Sequence, residues 1–138
     1  HVLPSIIHDC LASVLAYDTA LDGADPELMH GLRIEFKRLR YAVSLFEDVL
    51  GPQIEGFLED LKAIQDHLGR LNDITVAQEH LDALMAGLDG NVSEAVQAYS
   101  ERLNAEAADL MEKFPAVWAR FNSRKVQSKL SSGLLALR

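Results

Sequence analysis

With one cysteine in the whole chain, Cys10, this protein cannot staple itself with an internal disulfide. That suits a reducing compartment, and a buried structural thiol is the role expected of Cys10. No stretch approaches the ~18 uncharged apolar residues that a membrane span needs. Nor does the N-terminus carry a basic region followed by an apolar run, so it does not read as a signal peptide. The chain opens with His1 rather than Met, which points to a processed or excised piece. Strand-like alternation, a glycine-rich phosphate loop and low-complexity segments are all missing. So are a strand-turn-helix serine and a Cys/His pattern for nucleophilic catalysis. No carboxylate trio has the spacing to hold Mg²⁺ for phosphoryl transfer. The five histidines do not suggest a metal site: His67 and His80 lack the i, i+3 or i, i+4 spacing of paired ligands, and His30 is surrounded by cations. No metal and no cofactor is expected.

What is present is helical. A hydrophobic content of 49%, rich in Leu and Ala, with 7% aromatics, favours helix over sheet. The 138 residues suffice for one domain with a real core. Net charge is −8, but unevenly spread. From His30 to Tyr41 four basic residues face one acid, and from Arg120 to Arg138 five basic residues meet no acid, so the remainder carries −16. An acidic protein with a confined basic face is a poor general nucleic-acid binder, although it can still hold a polyanion locally.

The apolar spacing predicts a helix over 4–20, with Pro4 at its first turn. A break at 22–26 follows, with Asp25 as N-cap and Pro26 at N1 of the next helix. That second helix is expected to run to Leu50, stopped by Gly51-Pro52, for a length on the order of 37 Å. A third pattern starts near Gln53, with Phe57, Leu61, Ile64, Leu68 and Leu71 on one seam. Its phase then slips to Ile74, Ala77, Leu81 and Leu84. Gly69, beside the slip, suggests close approach by a crossing helix or by a ligand. After a break at 87–91, a fourth helix is expected from Ser93, with Val92, Val96, Tyr99, Leu103, Ala107 and Leu110 facing in. Pro115 should kink or restart it. The tail, 122–138, is basic, and its Leu134–Leu137 patch suits a short docked helix or a missing neighbour. The expected fold is all-α: an up-and-down four-helix bundle with long helices, occupying 1–138 as one unit.

The organising stretch is His30 to Tyr41. Leu32, Phe36, Leu39, Val43, Phe46 and Leu50 form one helical stripe. His30, Arg33, Lys37, Arg40 and Tyr41 form a second, roughly 120–140° away, with Arg38 off the row. Arg33, Lys37 and Arg40 are three and four positions apart, so they repel one another. Such a row either spreads its charge into water or holds an anion. Arginine offers a planar fork for phosphate oxygens, lysine a point charge, and histidine and tyrosine further donors. Two turns of such groups suit an extended phosphate chain. Asp73, on the third helix, is placed to orient one of the arginines or to make an interhelical salt bridge.

The motif His30-x-x-Arg33-x-x-x-Lys37-Arg38-Leu39-Arg40-Tyr41, followed by Leu61-Lys62-x-x-Gln65-Asp66-x-Leu68-Gly69-x-Leu71-Asn72-Asp73, resembles the CHAD family, the conserved-histidine α-helical domain. In that family two four-helix repeats pack about a pseudo-twofold axis around a basic cavity that binds inorganic polyphosphate. It is regarded as a binding module, often joined to a triphosphate-tunnel domain, and not as an enzyme. The resemblance implies that His30, Arg33, Lys37, Arg40, Tyr41 and Lys62 contact polyphosphate. It also implies that this chain, most like the second repeat, is one half of a two-repeat domain. The partner would be a second CHAD repeat, in the same chain or in a homodimer. A glutamate often found three residues after the tyrosine is Ser44 here. Non-catalytic polyphosphate binding in the cytoplasm, with polyphosphate granules as the associated structure, is the first functional expectation. An interaction scaffold that recognises an acidic protein partner is the alternative, and a subunit of a phosphate-processing enzyme a distant third. No contact with a membrane is expected.

Overall fold

The computed structural model describes residues 2–21, 25–87 and 90–135, and among these there are five α-helices and no strand. Helix α1 is Val2–Leu15, α2 Pro26–Leu45, α3 Ile54–Met85, α4 Gly90–Phe121 and α5 Arg124–Leu135, with 3₁₀ turns at Asp18–Ala20 and Glu47–Val49. The protein is an all-α helical bundle. Helix α1 packs on α2, α2 on α3 and α3 on α4, while α5 turns back onto α3. The expected breaks near 22–24 and 88–89, and Ala136 and Leu137 of the tail patch, lie outside the described residues.

The start of α2 follows from its sequence. Asp25 Oδ1 accepts from the Leu28 N–H at 2.8 Å, satisfying one of the first turn's free donors, and Pro26 follows at the N-terminal position. The core stripe is as the spacing predicts: Leu32, Phe36, Leu39 and Val43 are fully buried. Phe36 sits at the centre, edge-on to Phe121 at 5.0 Å and to Trp118 at 6.1 Å, which ties α2 to the end of α4. Trp118 Nε1 donates to Asp18 Oδ1 at 2.7 Å and brings the turn after α1 against α4.

Five expectations need correction. Helix α1 stops at Leu15 and α2 at Leu45, short of the predicted 20 and 50. Phe46 leaves helical geometry (φ −117°, ψ 20°), and a 3₁₀ turn carries the chain to Leu50, which is buried in an extended conformation. Pro115 lies inside α4 without ending it, so the chain does not restart there and 90–121 is one helix. Tyr99, expected inward, is 45% exposed, with the Arg102 guanidinium 5.6 Å over its ring. Gly69 is not the site of a helix crossing: no protein atom lies within 4 Å of where its Cβ would stand.

The tail folds as α5, with Val126, Leu130, Gly133 and Leu134 buried. The Gly51 N–H donates to the Gly133 carbonyl at 3.0 Å. A Cβ on Gly51 would lie 3.3 Å from Gly133 Cα, and one on Gly133 3.2 Å from Ile54, so this backbone approach depends on small residues on both sides. Cys10 is half-buried against the core; burial first, and then Glu35 and Asp9, push its thiol pKa up, which keeps it protonated.

Candidate functional site

The second stripe of α2 lies beside α3. His30 Nδ1 is 2.9 Å from Asn72 Oδ1; the amide oxygen accepts, so Nδ1 carries the proton and Nε2 is left for another partner. Three turns along, Arg40 Nη1 donates to Gln65 Oε1 at 3.4 Å. Between these two bridges lie Arg33 and Lys37, both half-buried, and neither makes a hydrogen bond or ion pair among the described residues. Tyr41 is 67% exposed at the far end of the row. Arg38, off the row as expected, pairs with Glu35 of its own helix at 3.3 Å.

Lys62 lies on α3 beyond Gln65, exposed and paired at 2.9 Å with Asp66 one turn on. It joins the row only by releasing that carboxylate. Asp73 takes neither of the roles expected of it: it is exposed and pairs with no member of the row. The α3 residues that do hold the row are Asn72 and Gln65. They are seven apart, on the stripe of α3 that faces α2, so helical phase was the signal that would have found them.

Behind His30, a largely apolar cavity of ≈ 110 Å³ lies between α2, α3 and α4, with Met29, Leu68 and Met111 among its walls. Outside His30 and Asn72, a second cleft is lined by Asp25, Glu27 and Glu79. The charge along α2 therefore reverses at His30. His67 serves another purpose, donating from Nε2 to the Leu110 carbonyl at 2.7 Å and joining α3 to α4. Among the described residues no group of three His, Cys, Asp or Glu is placed to hold a metal ion, and no helix is long and apolar enough to cross a membrane.

The fold and the row together define an all-helical module with a line of cations along one face of α2. Residues 1–82 match the family model of the CHAD domain, and the chain belongs to that family, whose domain is known for binding polyphosphate. No curated protein and no solved structure matches the chain.

Proposed function

We propose that this chain binds inorganic polyphosphate, or a similar extended polyanion, without turning it over, through His30, Arg33, Lys37, Arg40 and Tyr41, with Lys62 joining from α3. The observation that carries this is the state of Arg33 and Lys37: half withdrawn from water, side by side, with no carboxylate among the described residues to answer them. Like charges one turn apart repel one another, and an anion laid across both relieves that repulsion. Titration of the protein with polyphosphate, with DNA and an acidic peptide as competitors, tests it. Polyphosphate should displace both, and affinity should fall steeply as salt rises, because several contacts release counterions together.

A second reading has its own observation. Ile34, Leu45 and Val49 on and after α2 are apolar yet 38%, 77% and 55% exposed, on the side of α2 that also carries Tyr41. That side suits a protein surface: a second CHAD repeat, in this chain or in a homodimer, or an acidic partner of a scaffold. Sedimentation with and without polyphosphate separates these. A homodimer that forms through this side supports the second repeat, and preference for the acidic peptide supports the scaffold.

A further inference from the structure

His30 belongs to both sides of a charge boundary. Towards the C-terminus of α2 come Arg33, Lys37 and Arg40, none with a carboxylate partner among the described residues. Towards the N-terminus, the cleft that the His30 ring helps to line is walled by Asp25 and Glu27 from the start of α2 and by Glu79 from α3. Glu27 is at home there, because a carboxylate in the first helical turn faces the positive end of the helix dipole. Asp25 is committed to its capping bond with the Leu28 N–H. Glu79, exposed and two turns beyond Asn72, closes the cleft from the other helix.

A linear polyanion laid along the row meets these two regions differently. Each phosphoryl group over Arg33 to Arg40 gains charge-assisted hydrogen bonds. The next group beyond His30 would enter a cleft bearing three carboxylates at neutral pH. That repulsion acts within the one cleft that the His30 ring also lines, at a range where salt screens it only in part. At its other end the row is continued by Lys62 once that side chain releases Asp66: with His30 on Asn72 and Arg40 on Gln65, the antiparallel helices bring Lys62 level with the last turn of α2. Charge therefore favours a chain that leaves in that direction over one that runs on past His30.

Resting on the polyphosphate reading above, we infer that the row takes the end of a polyphosphate chain rather than its interior, with the terminal phosphoryl group at His30 and Glu27 and Glu79 as the residues that set this preference. A terminal phosphoryl group has one more ionisable oxygen than an internal one, and so more acceptor capacity for the His30 Nε2 edge and the nearby Arg33 fork. The Asn72 bond fixes the ring so that this edge stays turned from the protein amide. The carboxylates act as the repulsive half of the specificity, discriminating against a chain that runs on.

The test is a stoichiometry. Linear polyphosphates of increasing length are titrated into the wild-type chain, and the number of protein molecules bound per polyphosphate at saturation is read by sedimentation and calorimetry. End recognition predicts no more than two per chain at every length. Binding that rises in proportion to length overturns the inference while leaving the polyphosphate reading intact, whereas no binding at any length overturns that reading first. The E27Q/E79Q variant, with its helicity checked by circular dichroism, should still bind, but with a stoichiometry that now grows with length. If it keeps the wild-type limit of two, the carboxylates do not set the preference and the assignment to Glu27 and Glu79 fails. Cyclic polyphosphates, which have no ends, should bind the variant with affinity closer to that of linear chains than they do the wild type.

Discussion

Two regions of this molecule treat their positive charges in opposite ways. Where α3 meets α4 and α5, cations are fasteners. Arg70 grips Glu106 with both arms of its guanidinium, and Asp60 receives Lys129 at 2.7 Å and Arg120 at 3.6 Å. Next to them, Gln78 joins α3 to α4 by donating to the Ser100 carbonyl and to Asn104 Oδ1, each at 2.9 Å. On the row of α2, Arg33 and Lys37 have no such answer among the described residues, although the chain carries 21 acidic residues. Exposed cations such as Arg124 and Lys125 are solvated and mean little. Neighbouring cations with no counterion among the described residues are a different matter, because they repel one another until an anion is shared between them.

The sharpest way to break this contrast is to remove the unanswered pair. Arg33→Ala with Lys37→Ala should weaken polyphosphate binding by about two orders of magnitude, since a hydrogen bond to a charged group contributes ~1.5–3 kcal/mol. Thermal unfolding should stay where it is or rise slightly, because the deletion relieves repulsion between neighbours at i, i+4. Equal affinity in calorimetry would remove the row from the site.

The opposite substitution attacks a fastener. Asp60, only 10% exposed, faces Lys129, itself 29% exposed, so Asp60→Ala leaves a partly buried ammonium without a partner. A loss of about 1–3 kcal/mol in unfolding free energy is expected. Hydrogen exchange should localise it to α5, and polyphosphate affinity should be unchanged. If binding falls as far as in the double variant, the two regions are not separate.

How much of this was legible beforehand follows the same division. The core stripe of α2 and its cap could be read because burial and capping are local and periodic, and Leu32, Phe36, Leu39 and Val43 are buried where the spacing puts them. The end of the helix could not. The 3₁₀ turn Glu47–Val49 returns Leu50 to the core, so the apolar pattern runs on after the helix has stopped. The folding of the tail was half legible: Val126, Leu130 and Leu134 recur every four residues, but the docking that buries them depends on Gly51 and Gly133 meeting across the fold. The cations of the row were visible as a charge pattern. Their partners Asn72 and Gln65 carry no charge, and Asp73, beside Asn72, drew the attention instead.

A smaller effect refines the row itself. Asn72→Ala removes the acceptor that holds the His30 ring and leaves the ring free to turn. Polyphosphate affinity should fall by less than tenfold, about 1 kcal/mol, the ordinary contribution of one hydrogen bond. The salt dependence should match that of the wild type, because no charge is lost. A change in the salt slope would mean that Asn72 positions the cations as well as the imidazole.

The smallest effect belongs to the exposed fastener, and pH is the means to see it. The hydrogen bond from Arg70 holds the Glu106 carboxyl below its ordinary pKa, against a weaker upward push from desolvation, and raises that of Arg70 in turn. A carboxyl whose folded pKa is lowered binds fewer protons in the folded than in the unfolded protein, so stability rises with pH through that interval. The contribution is fully present above the unfolded carboxylate pKa of about 4.3 and is lost as pH falls through the depressed value. Glu106→Gln should therefore lower the urea midpoint slightly at pH 6 and not at all at pH 2, with the difference shrinking in high salt because both side chains are open to solvent. Identical midpoints at both pH values would show that this pair holds nothing. The fastening half of the comparison would then rest on Asp60 alone, where burial rather than ion pairing as such makes the charge count.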